Sequence, residues 1–307
     1  MFDQKYNKIL LCVTRLREEE KRIKFYLETL GFEVEICLDS ASLPLNINQK
    51  NNYIALLRNL SQKEALKRAE LLELAGIPTV NSANSISICT NKAKQAILFE
   101  KNRVPQPLYK IAFTFEDLKN AQTYFQDGFV IKPISSSWGR GIAKIDTKEN
   151  LDVWMAARES TDISNNNFPV LAQEYIHKGD YDIRVVVVGD QPIVAFKRIS
   201  NDSWITNTHL GAQIEPINIC EEMQAICKKV CNILGEGIYG IDLFYDFQHS
   251  TYKICEVNHN PEFAQSWKIH GIDVAKYIAS YIQIYCESLN INTVMEEKNV
   301  GRENIAL

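Results

Sequence analysis

Apolar positions come in short blocks along this chain, and the spacing within a block alternates between strand-like and helix-like. Lys8 to Val13 is a nearly continuous apolar run that predicts a first strand. The charged segment that follows, Arg15 to Leu30, carries Ile23, Leu27 and Leu30 at helical spacing, and Gly31 ends it. Phe32 to Leu38 alternates as a half-buried strand, and Tyr53 to Leu57 reads as a third. Ser61, with Glu64 three residues on, predicts a capping box at the start of a helix to Leu74. Ile77 to Val80 is a short strand before Asn81 and Ser82. This β-α-β-β-α-β order predicts a small doubly wound α/β domain over residues 1–88.

The pattern then becomes α+β. Over 89–177 it predicts helices from Lys92 to Asn102, Phe115 to Phe125 and Leu151 to Arg158, and strands Phe129 to Pro133, Ile142 to Ile145 and Val170 to Ile176. Over 178–290 it predicts strands Tyr181 to Val188 and Pro192 to Ile199, a helix Cys220 to Leu234, and strands Ile238 to Tyr245 and Lys253 to Asn258 around a polar turn. A helix from Val274 to Ser288 comes last, and 291–307 reads as a polar, frayed tail.

The last strand pair carries the strongest chemistry. Glu256 and Asn258 are two apart on a strand and share a face. A hairpin centred near Gln248 and His249 places Asp242 opposite Glu256, so three oxygen donors converge. That set suits Mg²⁺ bridging nucleotide phosphates. Acidic positions of an ordinary hairpin facing solvent remain the other reading of this stretch alone. A second signal is the strand end at Lys132 and the loop after it, with Ser136, Ser137, Trp138, Gly139, Arg140 and Gly141. Backbone N–H groups in such a loop can wrap anionic oxygens, with Lys132 and Arg140 supplying charge, although neither G-x-x-x-x-G-K-[S/T] nor G-x-G-x-x-G is present. A surface hairpin with incidental serines is the alternative. An edge of the 170–176 strand with free backbone groups can read adenine, with Glu174 accepting from its exocyclic amine; an ordinary strand of the sheet is the alternative.

Composition narrows the class. Of 307 residues 46% are hydrophobic and 23% charged, with net charge −4. That balance fits a globular protein and gives no basic field for nucleic acid. No apolar run approaches a membrane span, and the N-terminus reads as a strand, not a leader, so the expected setting is the cytoplasm. Cysteines 12, 37, 89, 220, 227, 231, 255 and 286 include no CxxC pair and read as thiols of a reducing compartment.

Taken in order, Lys132, the serine-glycine loop, the 170–176 strand, Asp182-x-Arg184, the strand bearing Arg198, and Asp242 followed by Glu256-x-Asn258 resemble an ATP-grasp ligase over nearly the whole chain. Thr14-Arg-Leu-Arg-Glu-Glu-Glu20, Ser137-Trp-Gly-Arg140, Trp204-Ile-Thr-Asn-Thr208 and Glu256-Val-Asn-His-Asn-Pro-Glu-Phe263 resemble the LysX/ArgX subgroup, which lies near the RimK-type glutamate ligases. The resemblance implies an ATP-grasp fold behind an N-terminal doubly wound domain. It implies that Lys92, Lys132 and the loop hold the phosphates of ATP, that Gln173, Glu174, Tyr175 and Ile176 line the adenine site, and that Asp182 contacts ribose or substrate. Asp242, Glu256 and Asn258 would bind two Mg²⁺ ions. Arg184, Arg198 and Asn207 would orient the γ-phosphate and the acyl phosphate, and His259, Glu262 and Phe263 would face the amino-acid substrate.

The implied partner is a small acidic amino-group carrier protein of LysW type, with Arg15, Arg17, Lys21, Arg22, Lys24 and Arg58 as candidate docking residues, though a solvated helix face explains them too. A homo-oligomer is also implied. A RimK-like ligase and a catalytically silent nucleotide-binding protein are the competing readings. Three positions depart from the subgroup: Leu210 where an arginine is common, Ala212 for a glycine, and Ala264 for a lysine. They predict that the bound amino acid, or the contact to its side-chain carboxylate, differs from the usual aminoadipate or glutamate.

Overall fold

The computed structural model describes residues 6–43, 52–125, 127–136, 140–161, 168–200, 204, 206 and 213–303. Its contacts divide the chain into two compact units, one of Met1–Ile86, Glu236–Ile238 and Asn260–Leu307, the other of Ser87–Gly235 and Tyr239–His259.

In the first unit, β1 (Lys8–Val13), β2 (Glu33–Leu38), β3 (Tyr53–Arg58) and β4 (Thr79–Val80) form a parallel sheet in the order β2-β1-β3-β4. The helices α1 (Glu18–Thr29) and α2 (Gln62–Leu74) are the crossovers. Gly31, at φ +89, turns the chain out of α1 where a side chain would be strained. Ser61 caps α2 by accepting from the Glu64 N–H at 3.3 Å, but Glu64 turns to Arg68 at 2.9 Å, so only half of the expected capping box forms. A short helix, α3 (Ala83–Cys89), was not legible in the spacing.

Two four- and five-stranded sheets build the second unit. The helices α4 (Lys92–Lys101), α5 (Phe115–Tyr124) and α6 (Lys148–Thr161) accompany β5 (Tyr109–Ala112), β6 (Phe129–Pro133), β7 (Ala143–Ile145) and β8 (Val170–Glu174), in the order β5-β8-β6-β7. Then come β9 (Tyr181–Gly189), β10 (Gln191–Ile199), β11 (Gln213–Ile217), α7 (Glu221–Leu234), β12 (Gly237–Asp246) and β13 (Thr251–Asn258), with sheet order β11-β10-β9-β12-β13. Met223, Ile226, Cys227, Val230 and Cys231 of α7 lie in one apolar cluster with Ile183, Val185, Ile241, Leu243, Ile254 and Val257. That cluster covers one face of the larger sheet and leaves the other for polar groups.

The chain ends with α8 (Ser266–Ile269) and α9 (Val274–Glu303). The helix therefore continues through most of the stretch expected to fray. Its buried Val274, Ala275, Ile278, Ala279, Ile282 and Cys286 follow a helical stripe. The grouping of 260–307 with the N-terminal sheet differs from the expected 178–290 segment.

Strand β13 is a sheet edge, and its outward backbone groups are taken one by one. The Gln95 side-chain amide accepts from Val257 N–H at 2.7 Å and donates to Val257 O at 3.1 Å and Cys89 O at 2.8 Å. Ile254 N–H donates to Pro105 O at 2.7 Å and Tyr252 N–H to Glu222 at 3.0 Å. In the β12–β13 turn, Asp246 accepts from Gln248 N–H at 2.9 Å and pairs with Lys253 at 2.8 Å. Burial works to raise its pKa, but these bonds and that to His249 outweigh it and hold the carboxyl at about 2.

Gln95→Leu leaves Val257 N–H, Val257 O and Cys89 O unpaired in a buried setting, and urea unfolding is expected to show a loss of about 3 kcal/mol; a loss within error of zero would contradict this account. Because the folded pKa of Asp246 is depressed, its contribution is full above an unfolded-state pKa of about 3.9 and is lost as pH falls toward its folded value. The stability gap between the protein and Asp246→Asn should therefore shrink as pH is lowered through that window.

Candidate active site

The polar face of the β11-β10-β9-β12-β13 sheet carries alternating charges. Register pairs Arg198 on β10 with Asp182 on β9, and Asp242 on β12 with Glu256 on β13, as the hairpin reading required. Arg198 grips both oxygens of Asp182, at 2.7 and 2.8 Å, and reaches Asp242 Oδ2 at 3.1 Å. Arg184 holds Asp242 in a fork, with Nη2 to Oδ2 at 2.8 Å and Nε on Oδ1. The Asn258 amide lies 3.4 Å from Asp242 Oδ2 and 3.4 Å from Glu256 Oε1. Lys92 stands 3.4 Å from Glu256 Oε2 and donates to Ser136 O at 2.7 Å, so it ties the start of the serine-glycine loop to this row.

Charge partners decide the ionisation states. Burial disfavours the Asp242 carboxylate, yet Arg184 and Arg198 outweigh it and hold its pKa below the ordinary carboxylate range. Glu256 is likewise lowered: burial opposes, Lys92 prevails. Asp182 goes the other way, because burial outweighs the attraction of Arg198 and Asp242 adds a second negative charge.

Lys132 is buried, donates to Gln173 Oε1 at 2.6 Å and lies 3.6 Å from Cys255 Sγ. These three, with Lys92, Gln95, Ala96, Phe99, Gln106 and Leu171, line a small cavity. Cys255 reaches it through a register shift between Asp242 and Leu243, where the β13 alternation slips by one residue. Without that shift Ile254 would face the charges; instead it is buried in the apolar cluster.

Several expected positions take a different place. Strand β8 is not an edge: Gln173 lies between Tyr109 of β5 and Val130 of β6, so its backbone is spent in the ladder. Glu174 accepts from Leu108 N–H at 3.1 Å, Tyr175 N–H donates to Gly128 O at 3.3 Å, and Ile176 is buried. Both Asp182 oxygens accept from Arg198, which ties this carboxylate into the row of charges. His259 is buried. Arg140 is exposed, and Gly141 follows at φ +73. Ser137, Trp138, Gly139, Asn207, Leu210 and Ala212 lie outside the described residues.

In the first unit, Phe263 is fully buried under the Arg58 guanidinium, 5.2 Å from its ring centre, so its ring supports the loop from within. Arg58 is itself 2% exposed, paired with Glu20 at 3.1 Å and bonded to Pro261 O at 3.1 Å, which removes it from any docking surface. Glu19 accepts from Ala264 N–H at 2.8 Å and from Phe263 N–H. Arg17 is bound to Glu20 at 2.7 Å and lies 3.5 Å from Glu262, Arg22 pairs with Asp273, and Lys24 with Glu28. Of the basic cluster, Arg15 and Lys21 are exposed.

Sequence reasoning missed Lys178, Thr206, Phe244 and Cys255. Lys178 and Thr206 are buried beside the charged row, and Phe244 has Lys132 and Lys178 at 5.9 and 5.7 Å from its ring centre. Strict two-residue alternation from Asp242 would have pointed to Phe244. Among the described residues no three His, Cys, Asp or Glu side chains gather, so a cation here needs the Asn258 oxygen as its third protein donor. The amide nitrogen now faces both carboxylates, and turned over it presents oxygen to the same spot. The donor set therefore fits a hard cation. No helix among the described residues is long and apolar enough to cross a membrane.

Residues 89–282 match the RimK-like ATP-grasp domain family. The α-aminoadipate–LysW ligase LysX of Saccharolobus solfataricus is 33% identical over 268 residues, 86% of this chain and 94% of LysX. The glutamate–LysW ligase ArgX of Sulfolobus acidocaldarius is 31% identical, covering 90% of this chain and 98% of ArgX. The fold is shared with the crystal structure of a RimK domain ATP-grasp protein from Sphaerobacter thermophilus, at TM-score 0.70 and 19% identity over 90% of this chain and 99% of that one. At this identity and coverage, the chain belongs to the RimK-like ATP-grasp ligases, in the group that LysX and ArgX represent.

Proposed function

We propose that this ligase joins the amino group of an amino acid to the side-chain carboxylate of a C-terminal glutamate on a small acidic carrier protein of LysW type, with ATP as the energy source. The alternating row from Asp182 to Glu256 carries the reading, because it sets two guanidiniums and Lys92 around one cluster of oxygen donors, with the charge of Lys132 also acting on Glu256. LysX and ArgX are both named as LysW ligases, which supports the carrier.

In this reading Asp242, Glu256 and Asn258 hold Mg²⁺, with two ions expected from the family resemblance. Bound there, the metal neutralises charge on the phosphates of ATP. Lys92 and Lys132 provide fixed positive charge for the same phosphates, and Lys92 also fixes the loop by its bond to Ser136 O. The carrier carboxylate attacks the γ-phosphorus, giving an acyl phosphate and ADP. The amine then attacks the acyl carbon, loses a proton and expels phosphate. Arg184 and Arg198, held in place by Asp242 and Asp182, stabilise oxyanion charge in both steps. Phosphoryl transfer needs positioning and neutralisation more than a protein nucleophile, which leaves the buried thiols out of the chemistry.

Ala264 stands where the subgroup often has lysine, and its N–H is held by Glu19. We infer that the contact to the substrate's far end differs from that in LysX and ArgX.

Glu256→Gln should lower ATP-dependent phosphate release by about 100-fold or more with the circular dichroism unchanged; retained turnover would remove the metal assignment. In a panel with the cognate carrier, an amino acid other than aminoadipate or glutamate should turn over fastest. Aminoadipate equal to or better than every other amino acid would refute the altered contact.

A further inference from the structure

Lys178 lies in the connection between β8 and β9 and is 7% exposed. Its ammonium donates to Tyr181 O at 3.1 Å and to Thr206 Oγ1 at 3.1 Å. Burial lowers its pKa, opposed by the nearby Asp182 carboxylate. An ammonium only donates, so Thr206 must accept from it and its single hydroxyl proton is left to point elsewhere. That proton is left for Asp182, whose ionised form Thr206 stabilises. Asp182 in turn takes both its strong bonds from Arg198, at 2.7 and 2.8 Å, and the Nη2 that holds Asp182 Oδ2 also reaches Asp242 Oδ2 at 3.1 Å. A single directed row therefore runs Lys178, Thr206, Asp182, Arg198, Asp242.

We propose that Lys178 is a positioning residue of the ligase reaction, acting through the Thr206 hydroxyl to fix Asp182 and so the orientation of Arg198. The consequence is specific. Without the ammonium, the Thr206 hydroxyl is free to rotate, the buried Asp182 loses a donor, and Arg198 is no longer held in one geometry against Asp242. The nucleotide-binding lysines 92 and 132 are untouched, so the effect falls on turnover and not on capture of ATP. The inference rests on the reading of Arg198 and Asp242 given above.

The test is a double-mutant cycle on phosphate release, with kcat and KM for ATP measured separately for Lys178→Met, Thr206→Val and the pair. Each single change is expected to lower kcat by about tenfold or more with KM for ATP within about threefold, because misplacement of a charge-stabilising group acts on the transition state. The double variant should be no worse than the weaker single, and Thr206→Ser should recover most of what Thr206→Val loses. Losses that multiply, a Thr206→Ser variant as slow as Thr206→Val, or a rise in KM alone would each overturn the proposal. If Lys178→Met does not fold, the comparison of Thr206→Val with Thr206→Ser still decides. Wild-type phosphate release that ignores the amino acid and carrier would instead sink the functional reading, independently of the cycle.

Discussion

The second unit is organised around a carboxylate, Asp242, that is buried and yet ionised. In a low-dielectric setting an isolated carboxylate would take up a proton, and only close, well-aligned opposite charge prevents that. Arg184 and Arg198 supply it, and each must then be satisfied in turn, Arg198 by Asp182. One buried acid thus dictates the identity of residues on three neighbouring strands. It also dictates the two-faced character of the sheet: the positions between these charges, Ile183, Ile241 and Leu243, face the opposite way into the apolar cluster. Such a row contributes little net stability, since desolvating the charges offsets much of their attraction. Its effect is to hold cationic groups in fixed geometry on the polar face of the sheet, which the proposed handling of a polyanionic nucleotide calls for.

Much of this was legible in the chain because strand periodicity is a strict two-residue rule. Asp242 and Glu256 face each other because the turn between them is short and polar, and both facts stand in the sequence. The N-terminal sheet was legible for a similar reason: each apolar block is followed by a helix-spaced segment of crossover length. What escaped was whatever depends on a slip or on a distant neighbour. The register shift that delivers Cys255 to Lys132 adds one residue to an otherwise regular strand. Strand β8 read as an available edge because β5, four residues long, gives too short a pattern to announce the partner that covers it. Lys178 looks like any solvated lysine in a polar connection until Thr206 is brought to it.

The first unit shows the same limit with a different outcome. Arg58 is chemically suited to a surface that greets an acidic protein, and nothing local marks it as buried. Residues far along the chain bury it: Pro261 takes its N–H and the Phe263 ring lies against it. Glu19 and Glu20, which dilute the charge of α1 in the sequence, turn out to be the partners of Arg17 and Arg58 and the anchors of the Phe263 and Ala264 N–H groups. The acidic run at the start of α1 is therefore a clamp on the segment that follows Asn258, and its basic neighbours are largely consumed in the clamp.

Strand β13 ends the larger sheet, and its outward backbone groups at Tyr252, Ile254 and Val257 are occupied by Glu222, Pro105 and Gln95. An extended peptide that approached this edge would find the N–H groups of Tyr252, Ile254 and Val257 already bonded. Docking by strand addition, a common way for proteins to hold a flexible tail whatever its sequence, is thereby closed at the strand that bears Glu256 and Asn258. A tail of the proposed carrier brought to those residues would then be distinguished by its side chains and its charge, which a generic peptide does not possess.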